Sequence, residues 1–201
     1  MKAYDREYFD RWYRDPRVRV ATDESVARKI HLVISVAEAL LLRQVRSVLD
    51  VGCGEGTWRA PLKKLRPSLR YVGVDSSEYV IARFGNRRGI RRGTFGGLGA
   101  IEKSVRGPFD VIVCCDMLQY VPADELRAGL ASIAALLGGV AYLEAYTSGD
   151  SIEGDRRGWH SRSAAVYRRA FRGAGLVSVG MHCWVGAALQ SSTAELERAD
   201  D

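Results

Sequence analysis

Ten residues, Val48-Leu49-Asp50-Val51-Gly52-Cys53-Gly54-Glu55-Gly56-Thr57, bring together an apolar run, two carboxylates and three glycines at alternate positions. An apolar run that passes through glycines into a helix start reads as strand, tight turn and helix N-terminus, the place where open α/β sheets bind ligands. Glycine permits the sharp turn and lets backbone approach a ligand, because no Cβ intervenes. The spacing then selects among ligands. A dinucleotide loop reads G-x-G-x-x-G and sets pyrophosphate on the helix N-terminus. Here Gly52-x-Gly54-x-Gly56 is one residue tighter, Asp50 and Glu55 flank the loop, and no lysine lies within it. Two carboxylates suit a phosphate poorly and suit an ammonium or a sulfonium well. A second apolar run, Tyr71-Val72-Gly73-Val74, ends in Asp75, about 20 residues beyond the last glycine, where a carboxylate can accept from both hydroxyls of a ribose. Capping the next helix is the plainer role for Asp75, but Ser76 or Ser77 can do that alone.

The elements that position these groups emerge from periodicity. Tyr4, Tyr8 and Trp12 fall at i, i+4 and i+8, and Phe9 and Tyr13 widen the stripe, so 4–14 reads as a helix that Asp15-Pro16 stops. A second helix is expected over 24–43, capped by Thr22 or its neighbours. From residue 47 the pattern alternates. Strands are expected at 47–51, 69–74, within 89–95, and at 109–115, 140–146, 176–183 and 185–191. Helices are expected at 57–65, 78–84, 122–137 and 161–173, with a helical turn at 101–105. Gly138-Gly139 reads as the stop of the 122–137 helix, and 147–160 as a polar loop. Strands separated by helices imply a parallel sheet with right-handed crossovers. The last two strands have no helix between them and should pair antiparallel at the sheet edge, with a turn near Trp184. The expected fold is therefore α/β: a Rossmann-like seven-stranded sheet, mostly parallel with a reversed last strand, helices on both faces and an N-terminal helical lid. One domain spans 1–201, with a helical cap at 1–45, the core at 46–192 and a frayed tail at 193–201.

Bulk properties narrow the class. A chain of 201 residues, 47% apolar, can close one full core. No apolar run reaches the ~18 residues of a membrane span, and Met1-Lys2-Ala3-Tyr4-Asp5-Arg6 lacks the apolar core of a signal peptide. Cys53, Cys114, Cys115 and Cys183 form no C-x-x-C pair, so neither a metal site nor a disulfide framework is indicated, and a reducing cytoplasm fits. The net charge of +6 is carried mostly by arginines spread along the chain, densest at Arg87-Arg88-Gly89-Ile90-Arg91-Arg92. That dispersal favours a solvated surface over a nucleic-acid footprint, so nucleic acid is not an expected partner.

The glycine loop with Asp75 resembles the class I S-adenosylmethionine-dependent methyltransferases. There the loop is motif I, and the second strand ends in an acid of this kind. Phe109-Asp110-Val111-Ile112-Val113-Cys114-Cys115-Asp116-Met117-Leu118-Gln119-Tyr120-Val121 resembles the same family's motif IV together with the adjoining segment on its C-terminal side. The three signals span 47–121. The resemblance implies S-adenosyl-L-methionine as cofactor and S-adenosyl-L-homocysteine as product. It implies cofactor contacts from Asp50, Gly52, Cys53, Gly54, Gly56, Asp75, Ser76, Ser77, Asp116, Met117 and Leu118. One departure matters. Many relatives carry Gly-Asp after the third strand, with the aspartate on the adenine. Here the segment is Gly93-Thr94-Phe95-Gly96-Gly97-Leu98, which leaves Thr94 or backbone to bond the adenine and Phe95 to stack on it.

Methyl transfer is an in-line displacement, so the protein must chiefly hold an acceptor against the methyl carbon and exclude water. A base is needed only where the acceptor is a protonated amine or hydroxyl. The acceptor-side candidates are Tyr4, Tyr8 and Trp12 from the lid, Gln119 and Tyr120 after the fourth strand, and Tyr146 and Trp159 after the fifth. The candidate catalytic groups are Glu144, His160 and Tyr120. Glu144 lies on a buried-looking strand, where a charge needs a partner or a purpose, and a salt bridge to an arginine is its plainer role. His31 and His182 attract no assignment. The expected function is methylation of a small molecule at O, N or a carboxylate. Three other readings stand beside it. They are an RNA or protein methyltransferase, a cofactor-binding partner without catalysis, and a nicotinamide oxidoreductase, which the glycine spacing disfavours.

Overall fold

The computed structural model describes residues 4–19, 21–151 and 154–199. Seven strands form one sheet: β1 (Ser47–Val51), β2 (Arg70–Asp75), β3 (Ile90–Arg92), β4 (Phe109–Cys115), β5 (Leu137–Glu144), β6 (Val177–Gly180) and β7 (Cys183–Val185). The order is β3-β2-β1-β4-β5-β7-β6. The first five run parallel, and β7 enters antiparallel between β5 and β6. The order reverses direction between β1 and β4, so their C-terminal ends open the crevice in which such sheets bind ligands. The Rossmann-like sheet and its reversed last strand are as expected from the alternation.

Helices cover both faces: α2 (Asp23–Leu41), α3 (Arg59–Leu65), α4 (Glu78–Arg88), α5 (Leu98–Val105), α6 (Ala123–Leu136), α7 (Ala164–Gly173) and the short α8 (Ala187–Gln190). One apolar layer packs β1, β4 and β5 against α5, α6 and α7 through Phe109, Leu130, Ile133 and Phe171. The other packs the opposite face against α2 and α3 through Ile30, Val33, Trp58 and Leu62. Strands covered on both faces have no polar side, which is why β4 reads as an unbroken apolar run. Asp110, the carboxylate near the start of β4, is structural. It takes two hydrogen bonds from Arg43 (2.9 and 2.7 Å) and one from the Arg46 backbone (2.6 Å) at the sheet end remote from the crevice.

Several boundaries differ from the sequence expectation. α4 runs on to Arg88 and is stopped by Gly89 in a left-handed conformation. Gly138-Gly139 does not end α6 through a loop. The helix passes directly into β5, which begins at Leu137 instead of 140. A Cβ on Gly139 would collide with the Asp110 backbone carbonyl, so this glycine serves close strand approach and not a helix cap. The last hairpin turns at Met181-His182, both left-handed, and not near Trp184, which lies in β7. Residues 187–190, expected as strand, are helical. The N-terminal helix is two short pieces, α1 (Arg6–Phe9) and a single π turn over Asp10–Arg14. The tail expected to fray folds back as far as the described residues run, with a turn at Glu195–Glu197 and the Ala199 N–H donated to the Ser178 carbonyl. Among the described residues, no helix is long and apolar enough to cross a membrane.

Candidate active site

The floor is the loop between β1 and α3. Gly52, Gly54 and Gly56 all have positive φ (69°, 53° and 76°). At Gly54 this matters most, because a Cβ there would also collide with the Tyr13 hydroxyl. Asp75 braces the loop. One of its oxygens accepts the Gly54 N–H (2.7 Å) and the other the Ser77 N–H (2.8 Å). Burial raises the Asp75 carboxyl, and the backbone N–H groups of Ser77, Gly54 and Ser76 pull it partly back. A carboxylate offers about four acceptor positions, so hydroxyls can still be taken beside the backbone bonds. Ser77 caps α4 by accepting the Val80 N–H, which leaves Asp75 free of that duty.

Asp50 is 2% exposed and accepts from the Tyr71 hydroxyl (2.8 Å). Burial drives its pKa up to about 7; the Tyr71 bond opposes the rise and the neighbouring Asp75 adds to it. A buried carboxyl at the edge of its own ionisation is poised to receive a cation, whose arrival offsets the cost of charging it. Asp116 closes the far side at the end of β4, in the left-handed region (φ 55°). Met117 lies over Gly52, where a Cβ would come within 2.8 Å of its Cγ.

A cavity of about 1060 Å³ opens on this floor. Asp50, Gly52, Cys53 and Asp116 line its base, and Tyr8, Trp12, Tyr120, Tyr146 and Trp159 form aromatic walls. The N-terminal segment is strapped over the strand ends. Arg14 pairs with Glu55 and the Ser77 hydroxyl donates to the Tyr4 carbonyl. Phe9 stacks on Tyr79 (centroids 5.6 Å apart). Asp75, Ser76, Ser77 and Thr94 lie outside the cavity, and Tyr4 and Phe9 cover the start of α4 beside them.

The remaining expected residues divide. Phe95 is 4% exposed and packs on Gly129 in the α5–α6 core layer, so its ring is not presented to a ligand. Thr94 is exposed and accepts the Gly97 N–H in a turn. Leu118 is fully buried core. His160 is exposed and off the cavity; its backbone N–H donates to the Gln119 carbonyl (2.7 Å). Tyr120 donates its hydroxyl to the Asp155 carbonyl, and burial raises its pKa above the usual phenol range, so it is a donor and a wall, not a base. Glu144 is held by Lys29 (2.6 Å) and the Tyr142 hydroxyl. Burial pushes its carboxyl up, but the Lys29 and Tyr142 bonds outweigh it and keep the net shift downward. The plainer role expected of Glu144, a salt bridge, is the one it occupies, though with a lysine in place of an arginine.

Lys29 is the residue that the sequence pattern did not single out. Its side chain lines the cavity and lies 3.7 Å from Cys115 Sγ. The signal was present. Lys29 sits beside the buried stripe of α2 (Ile30, Val33, Ile34, Ala37), a position where a charge requires a partner.

A floor of left-handed glycines that side chains would obstruct, a carboxyl ready to meet a cation and a second carboxylate with spare acceptor positions fit an amino-acid nucleoside. The methyltransferase-domain family matches the chain over residues 22–178. No curated protein matches the sequence. Among solved structures, a SAM-dependent methyltransferase from Archaeoglobus fulgidus superposes with a TM-score of 0.58 at 14% identity, covering 85% of this chain and 73% of that one. Streptomyces venezuelae DesVI gives 0.61 at 19% identity, covering 81% and 92%. Magnesium protoporphyrin IX methyltransferase from Synechocystis PCC 6803, with SAH bound, gives 0.59 at 20% identity, covering 87% of both chains.

Proposed function

The chain belongs to the methyltransferase-domain family, and on that basis we propose that it methylates a small molecule, with S-adenosyl-L-methionine as methyl donor. When bound, that cofactor supplies a methyl group activated on a sulfonium and departs neutral. In this reading Gly52, Gly54 and Gly56 let the loop backbone approach it, Asp50 faces its cationic amino-acid end, and Asp75 accepts from its ribose hydroxyls. Asp116 and Met117 border the same crevice. Thr94 is the polar side chain left for the adenine end. The work of the protein is then to position the acceptor and exclude water. The aromatic walls and the N-terminal strap, held through Arg14 and Tyr4, serve both purposes.

The observation that carries the small-molecule reading is the cavity. At about 1060 Å³, with tyrosine and tryptophan rings on its walls among charged and polar side chains, it has the size of a small-ligand site and not of an open groove for a macromolecule. The Synechocystis relative, named for a magnesium porphyrin, supports the same class. The four cysteines are free thiols, which suits a reducing compartment, and we place the protein in the cytoplasm. Calorimetry tests the cofactor directly. S-adenosylhomocysteine should bind with micromolar affinity and NAD should not; the reverse result overturns the assignment. Transfer of an isotopically labelled methyl group to members of a small-molecule acceptor panel, with none to bulk RNA or protein, completes the test.

A further inference from the structure

A glycine in a ligand-binding loop serves by the space that its missing Cβ leaves. At Gly54 the chain itself fills that space: a Cβ there would collide with the Tyr13 hydroxyl and come within 3.3 Å of the Phe9 ring. Phe9 is 2% exposed, stacks on Tyr79 and meets Tyr13 edge-on (centroids 5.6 and 4.8 Å apart). With Cys53, Val80 and Ile90 it forms a small apolar cluster of its own, apart from the two core layers. Two residues beyond Asp75, the Ser77 hydroxyl donates to the Tyr4 carbonyl. Asp75 is 9% exposed and does not line the cavity, whereas Asp50, Gly52 and Asp116 do. One half of the glycine-loop site is therefore open, and the N-terminal strap lies over the other. The strap is also placed to move. A turn at 16–18 separates it from α2, and Arg14, which pairs with Glu55, keeps 42% of its side chain exposed, where an ion pair adds little stability.

We propose that the strap is a gate on the cofactor site. It lifts from Gly54 and Ser77 before a nucleoside reaches Asp75, and its return restores the walls that Tyr8 and Trp12, carried on the same segment, give to the acceptor cavity. Cofactor then enters before acceptor. The gate rests on the reading of Asp75 as the ribose-side residue, because only then does the strap lie in the cofactor's path. A site open for part of the time binds more weakly in proportion to that fraction, so the docked strap subtracts from cofactor affinity. A lid that only closed over a bound cofactor would add to it.

Stopped-flow mixing of the full chain with S-adenosylhomocysteine, read by tryptophan fluorescence, tests the gate. The observed rate should level off as the ligand concentration rises, because opening of the strap becomes limiting. Phe9→Ala removes the ring stacked on Tyr79 and should raise both the plateau rate and the affinity measured by calorimetry about tenfold. Arg14→Ala is a milder change at a partly exposed pair and should raise both about twofold. A wild-type rate that climbs in proportion to ligand up to millimolar concentration overturns the gate, as does an affinity that is unchanged or weakened in both variants. In either case the ligand still binds, and the methyltransferase reading stands. Binding by none of the three proteins overturns that reading and the gate with it.

Discussion

The glycine-loop floor of the site and the walls of the cavity are built in different ways. The floor is a single loop and the ends of three neighbouring strands, and its groups are mostly backbone: left-handed glycines, N–H groups donated to Asp75, a carboxyl that accepts from Tyr71. The walls are side chains brought from separate places, with Tyr8 and Trp12 from the N-terminal strap, Tyr120 after β4, and Tyr146 and Trp159 from the loop beyond β5. A backbone floor tolerates almost no substitution and binds one kind of ligand. Side-chain walls can be exchanged one at a time, so the acceptor can vary while the cofactor stays the same.

Substitutions should separate the two regions, most sharply at the floor. Gly54→Val forces a branched side chain into φ 53° and against Tyr13. It should weaken S-adenosylhomocysteine binding more than about a hundredfold by calorimetry, while circular dichroism shows the sheet intact. Asp75→Ala removes the brace on Gly54 and, with it, the proposed ribose acceptor, and should cost about as much; retention of affinity within about threefold would disprove its role. On the walls, Trp12→Ala should reduce acceptor kcat/KM about tenfold and change cofactor affinity little. Comparable losses in both would mean that strap and floor act as one unit.

Protonation gives a finer contrast. With its pKa raised to about 7, Asp50 is largely neutral in the ligand-free protein at about pH 6. A cationic ligand must ionise it, so S-adenosylmethionine binding should release a proton and weaken by up to about tenfold per unit as pH falls below about 7. Asp50→Asn should flatten that profile. The folded-state pKa lies above the unfolded one, so Asp50 stabilises least at high pH: its contribution declines as pH rises from about 4 to 7 and is then constant. Glu144 behaves oppositely. Its carboxyl is held down by Lys29 and Tyr142, so the stability it adds is present above its unfolded pKa and is lost as pH falls through the lower folded value. Lys29→Met strands that carboxylate and should cost about 2 kcal/mol in denaturant unfolding, less than for a fully buried pair because Lys29 is partly exposed.

The same division governs what can be read from the sequence. The floor is local: Asp50 to Gly56 sit within one turn and Asp75 at a set distance, so spacing alone exposes them. The bounds of β1 and β4 coincide with their apolar runs for the same reason. The walls depend on which of many aromatics the fold turns inward, and no period records that. Phe95 has the position of a cofactor residue, yet Gly129 leaves a slot on α6 that its ring fills. Gly138-Gly139 has the composition of a helix stop, because a glycine needed for strand contact is indistinguishable by type from one needed for a cap. The final turn carries Met181 and His182 in a left-handed conformation that neither residue type advertises, so the pattern puts that turn too late, near Trp184.

The seam at Leu136-Leu137, where helix becomes strand without slack, has an evolutionary corollary. That junction can absorb neither insertion nor deletion without shifting every register along β5. The opposite rim ends in long crossings such as 145–163, whose length is free to drift. Descendants of this molecule should therefore leave this junction at fixed length, and the indels in any set of homologues should avoid it and favour crossings such as 145–163.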